Sequence, residues 1–157
     1  MNNNNFYIFR QNNLGGSFTV DKDLSHFLFI EAPSEKEAMK KALDLGVYFY
    51  GVDEGIDCPC CGDRWSEYCD EIKFPYEYGF FDEEEIKEEK YSGFKFFKTK
   101  EKSNYGKNYY AKLNNIEEYA AMQLNISFRF CAPKHEIVIH YSNGEIKYLP
   151  SNPQNNA

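Results

Sequence analysis

A chain of 157 residues, 42% of them hydrophobic, is long and apolar enough to bury a core without disulfide staples, which excludes a disordered protein. The net charge of −7 argues against bulk duplex binding, where phosphate neutralisation dominates affinity. No stretch is long and apolar enough to span a membrane, and the polar N-terminus lacks a signal-peptide pattern, so a cytoplasmic protein is expected.

The first element is a strand over Phe6–Gln11, followed by the turn "NNLGG" and a hairpin partner at Ser17–Asp21. Ser25–Ala32 reads as a third strand, apolar enough to be central. Ser34 and Glu37 form an S-x-x-E capping box that starts a helix. Its apolar stripe is Ala38, Met39, Ala42, Leu43 and Leu45, and Gly46 supplies the stop. Val47–Val52 predicts another strand, leading into an acidic insert over 53–90, whose segment Asp82–Lys90 reads as a solvated face. A strand over Gly93–Lys100 precedes the turn "SNYGKN". A helix over Ile116–Leu124 is capped by Asn114 or Asn115, and a strand follows at Ile126–Phe130. The last unit is a hairpin, "EIVIHY" and "EIKYL", joined through Asn143-Gly144 in a type I′ turn. The pattern predicts one α+β domain over 1–157: a mixed or mostly antiparallel sheet with two packed helices, and disordered ends at about 1–4 and 150–157.

The five cysteines cluster, unlike a secreted disulfide framework. Three of them lie in "DCPCCGDRW", Asp57 to Trp65. Cys58 and Cys61 have C-P-x-C-G spacing, the form of a zinc knuckle, in which a tight turn aims backbone amides at sulfur. A structural zinc needs four ligands, and Cys69, Cys131, His26, His135 and His140 are the candidates to complete it. The alternative packs these cysteines as small apolar side chains under a tight loop. Thiol catalysis is disfavoured, because the surrounding carboxylates should raise the thiol pKa values.

Charge is distributed unevenly. Asp53–Lys90 holds 14 acidic and 4 basic residues, whereas Tyr91–Leu113 holds six lysines and one glutamate. Within that basic stretch aromatics alternate with lysines, and Phe96, Lys98 and Tyr109 are candidates to stack a base and neutralise a phosphate. The turn after Phe9, with Arg10, Asn12 and Asn13, offers groups for an anion. Arg64 and Trp65 are further candidates, since Trp and Arg concentrate binding energy. His140-Tyr141-Ser142 matches one half of the two-histidine phosphoesterase motif, and no second half is present.

"FYIFRQNNLGGSFTVD" and "GVYFYGVDEGIDCPCCGDRW" together resemble a family of small proteins encoded by tailed bacteriophages, over about the first 70 residues. The resemblance implies a phage protein acting in the host bacterial cytoplasm and lends no catalytic residue. In that setting the leading expectation is a non-enzymatic counter-defence sponge. It would sequester a nucleotide-derived immune messenger, such as a cyclic ADP-ribose variant or a cyclic oligonucleotide, in a homo-oligomer. The second is a zinc-knuckle or acidic DNA-mimic module that inhibits a host defence protein. The third is a phosphodiesterase that uses His140.

Overall fold

In the computed structural model the chain is described over residues 4–12, 18–80, 96–98, 109–126 and 135–149. In chain order the elements are β1 (Asn5–Arg10), β2 (Phe27–Ala32), α1 (Glu35–Leu45), β3 (Asp70–Ile72), β4 (Tyr76–Phe80), β5 (Phe96–Lys98), β6 (Tyr109–Leu113), α2 (Ile116–Ile126), β7 (Ile137–His140) and β8 (Ile146–Leu149). The fold is α+β, as the sequence pattern predicts. The chain forms two compact units, Met1–Ile72 with Arg129–Ala157, and Lys73–Phe128.

The first unit is built on a mixed sheet in the order β3-β1-β2-β7-β8. β2 is its central strand, antiparallel to β1 and parallel to β7. β1, β2 and β7 are buried on both faces, so "FYIF", "FLFI" and "IVI" are unbroken apolar runs without the alternation of a half-solvated sheet. On one face Tyr7, Phe9, Leu28, Ile30 and Val138 join Ala38 and Ala42 of α1 in the core. α1 begins where the capping box places it, with the Ser34 hydroxyl accepting from the Glu37 amide, and ends at Gly46 in the left-handed conformation (φ 113°). Leu43 is 53% exposed, so it lies off the buried stripe.

Three predicted features differ. Ser17–Asp21 was expected to pair with β1, but both edges of β1 are taken, by β2 and β3. Over its described part the segment is irregular. It is held instead by the Gln11 side chain, whose Nε2 donates to Thr19 O while its Oε1 accepts from Thr19 N, both at 2.8 Å. One amide side chain thus replaces a pair of ladder bonds. Val47–Val52 is a turn, with Tyr50 at φ 58°, a conformation in which no strand can continue. The β7–β8 hairpin forms, but only Gly144 of its turn has positive φ (92°), so the turn is not type I′. Asn143 uses its side chain instead, accepting from the Glu145 amide.

The second unit carries the sheet β4-β6-β5, all antiparallel, and α2. Asn115 is the α2 cap, accepting from the Glu118 amide, while the Glu118 carboxylate returns to the amide of Asn114. Tyr76 meets Tyr119 edge-on, and Leu113, Ile116 and Tyr119 are buried. The expected strand at Gly93–Lys100 is seen over Phe96–Lys98. Its remainder, Asp82–Lys90, the "SNYGKN" turn, the strand beyond Ile126 and the chain ends outside 4–149 lie outside the described residues.

Candidate functional site

The loop between α1 and β3 is fixed by two aspartates. Asp57 is buried: one oxygen accepts from the Tyr48 hydroxyl at 2.8 Å, the other from the Arg64 amide at 2.9 Å. Burial, and then the Asp57 carboxylate, push the Tyr48 phenol above its ordinary pKa, so it remains the donor. The Gly51 carbonyl accepts from the amides of both Ile56 and Asp57. Asp63 caps the same turn by accepting from the Val52 amide at 2.9 Å.

The far end of the loop pairs with the strand that opens the chain. Asn12 N donates to Arg64 O, Ser66 N donates to Arg10 O, and the Asn12 side-chain amide donates to Asp63 O. Gln11 and Trp65 are opposed as an antiparallel bridge. The segment after β1 and the cysteine loop, distant in sequence, therefore meet in space, and the side chains of Asn12, Tyr48, Asp57 and Asp63 help to build the loop.

At its tip Cys58–Gly62 forms the tight turn that knuckle spacing predicts. The amides of Cys61 and Gly62 both donate to Cys58 O at 3.1 Å, and Gly62 takes φ 83°. A side chain at Gly62 would be strained at that angle. The sulfurs of Cys58, Cys60 and Cys61 lie within 4.8 Å of one another and all three residues are exposed. Sγ of Cys58 is 2.7 Å from Sγ of Cys60, which is 3.6 Å from Sγ of Cys61. Spacing alone selects Cys58 and Cys61. The structure adds Cys60, a thiol that the doubled "CC" signals once the turn is recognised.

Acidic neighbours were expected to raise these thiol pKa values, yet that of Cys58 is lowered. The Cys60 thiol and the backbone amides of Cys60 and Cys61 donate to its sulfur, an arrangement that favours thiolate. Sharing with Cys58 raises Cys60. Cys69 differs: burial, then Glu35, push it up to about 12, so it is a protonated, half-buried thiol at neutral pH.

The other predicted ligands and binding residues are dispersed. His26 Nδ1 lies 3.1 Å from the buried Glu136 carboxylate, with its ring stacked on Phe18. His135 and His140 direct Nε2 at the carbonyls of Asp21 and Asp23. None of the three joins the sulfur group. His140, at 3% exposure, is a structural latch for the 21–25 loop, and its burial counts against the acid–base role in phosphodiester cleavage. Phe9 and Trp65, each 1% exposed, are core side chains, so neither offers a ring face to a ligand. Arg10 is exposed, its guanidinium 5.3 Å from the centre of the Phe27 ring. Asn12 is spent on Asp63, and Arg64 is part-buried with Nη1 3.4 Å from Gln11 Oε1. Lys98 stands directly across from Tyr109 in the β5–β6 register, with Phe96 two places along β5. Asn13 and Cys131 lie outside the described residues.

Three large apolar side chains are exposed on the cysteine loop and the segment after it: Tyr50 (51%), Ile56 (60%) and Tyr68 (75%). The Tyr50 hydroxyl bonds to Glu67, which raises its pKa. Between Tyr50 and Glu71 the chain has seven acidic residues and a single arginine.

These features define an α+β protein with a thiol-rich knuckle on a rigid, acidic loop. The chain belongs to the family described as a domain of unknown function, DUF7296, whose model matches residues 4–154. No curated protein and no solved structure matches it. Among the described residues no helix is long and apolar enough to cross a membrane.

Proposed function

We propose that the protein is a non-enzymatic interaction module whose knuckle holds a thiophilic metal ion of the zinc class and whose acidic loop docks on a basic protein. The observation that carries this reading is the convergence of three exposed sulfurs on a loop pinned at its base by Asp57 and Asp63. Thiolate is the metal-binding form, and sulfur is the donor that zinc accepts most readily in protein knuckles. The exposed Tyr50, Ile56 and Tyr68 supply apolar anchors, and the carboxylates around them supply electrostatic selection. In the phage setting that the sequence resemblance implies, the partner is a host defence protein in the bacterial cytoplasm.

Titration of the reduced, metal-free protein with Zn2+ tests the reading. One ion per chain is expected, with affinity falling in Cys58→Ser, Cys60→Ser and Cys61→Ser by more than the roughly tenfold that loss of an outer-shell partner costs. Equal uptake by the variants and the parent would contradict it.

The β5–β6 register favours a second reading, the messenger sponge. Lys98 is the register partner of Tyr109, and Phe96 lies two places along β5, so the strand pair carries a cation and aromatics in the pattern that a nucleotide site uses. Calorimetry against cyclic oligonucleotides and cyclic ADP-ribose isomers should then show saturable binding that Lys98→Ala weakens. Silence across the panel removes this reading and leaves the first intact.

A further inference from the structure

We infer that the knuckle binds its ion through three thiolates alone, and that a histidine of the docked basic protein occupies the fourth coordination position. The inference rests on the metal reading above and specifies how the partner engages that same site.

Cys58, Cys60 and Cys61 fall within four consecutive residues, so their sulfurs can cover only one side of an ion. A tetrahedral ion with metal–sulfur bonds of about 2.3 Å spreads its ligands about 3.8 Å apart. Cys60 and Cys61, at 3.6 Å, already have that spacing, and Cys58 and Cys60, at 2.7 Å, would open to admit the ion. The opposite side of the ion would face outward, because all three cysteines are exposed. Closed structural sites surround the metal with four protein ligands, whereas sites with three keep a position for an incoming group. Among the described residues no fourth donor joins the group, and His26, His135 and His140 are engaged elsewhere.

The surroundings define the occupant. Asp53, Glu54, Asp70 and Glu71 are exposed carboxylates, and Arg64 is the single basic residue from Tyr50 to Glu71. A second copy docked through this same loop would bring like charge to it, so a basic partner surface is favoured. Three thiolates leave a divalent ion with a net charge of −1. A fourth thiolate would make it −2 on a loop whose sequence from Tyr50 to Glu71 already carries seven acidic residues and one arginine, whereas a neutral imidazole adds no charge. Histidine is therefore the donor that this field tolerates best. Tyr50 strengthens the case for docking. Its ring is half exposed, with the hydroxyl bonded to Glu67.

Cobalt(II), a spectroscopic substitute for zinc, provides the test on the full reduced chain. The expected charge-transfer intensity is that of three thiolates, falling stepwise in the three Cys→Ser variants and unchanged in Cys131→Ser. Imidazole should shift the ligand-field bands. A lysine-rich peptide with one histidine should do so at concentrations at least about tenfold lower than imidazole, and the same peptide with alanine in place of histidine should not. Intensity for four sulfurs, a loss in Cys131→Ser, or equal behaviour of the two peptides would overturn the inference while leaving metal binding in place. Failure of cobalt to bind at all would instead sink the metal reading beneath it.

Discussion

Gly51→Ala is expected to unfold the cysteine loop and abolish its metal affinity. A Cβ at position 51 would lie 1.9 Å from Oδ2 and 2.6 Å from Cγ of Asp57, and 2.7 Å from Cε2 of Tyr48. The carboxylate cannot swing aside, because it is buried and both oxygens are in use, by the Tyr48 hydroxyl and the Arg64 amide. Moving it breaks two charge-assisted hydrogen bonds and disturbs the Gly51 carbonyl that holds Ile56 and Asp57. Such bonds are each worth about 1.5–3 kcal/mol, and a buried carboxylate left unpaired costs more, so the expected loss is roughly 3–5 kcal/mol. Urea denaturation measures the loss, and zinc titration of the still-folded fraction measures the effect on the knuckle. A variant within about 0.5 kcal/mol of the parent would show that Asp57 does not hold the loop.

Trp65→Ala is expected to be as damaging by a different route. Trp65 is the largest fully buried side chain among the described residues, packed in the cluster with Phe9, Leu24, Val47 and Val138. Its removal leaves a cavity that neighbours on two β-strands cannot fill, at a cost of about 3–5 kcal/mol. For a chain of this length that corresponds to a fall in Tm of roughly 10 °C. Trp65→Phe keeps an aromatic ring in the site and should lose clearly less. As the only tryptophan, it also reports on itself. Emission should be that of a dry indole in the folded state and shift to the red only with unfolding. A red-shifted native spectrum, with Trp65→Ala as stable as the parent, would return Trp65 to the surface role suggested by its place beside Arg64.

The contrast between Trp65 and Ser34 shows where the sequence is legible. The capping box, the Gly46 stop and the Asn115 cap are local hydrogen-bond patterns, so a few adjacent residues contain all their physics. The central place of β2 follows from its unbroken apolar run. The same reasoning extends to Phe9: four apolar residues in succession mean a strand buried on both faces, which leaves no ring for a ligand. Val47–Val52 was misleading because its aromatics resemble strand residues, whereas Tyr48 and Phe49 pack against the core from irregular backbone and Tyr50 turns the chain at positive φ. Ser17–Asp21 was misleading because the partner of Thr19 is a side chain, and no backbone pattern encodes that. In the loop, the knuckle turn was legible from C-P-x-C-G. The roles of Asp57 and Asp63 depend on Tyr48, Val52 and Arg64, brought together by a fold that spacing does not reveal, although aspartate flanking a tight turn is a recurrent anchoring signal.

The converged sulfurs of Cys58, Cys60 and Cys61 either hold a metal ion or do not. Native mass spectrometry of the reduced full chain after incubation with Zn2+ addresses this most directly. The predicted result is one zinc per chain in the parent and none in the triple variant Cys58→Ser, Cys60→Ser, Cys61→Ser. Parent and triple variant carrying the same zinc complement, whether none or one, would contradict it.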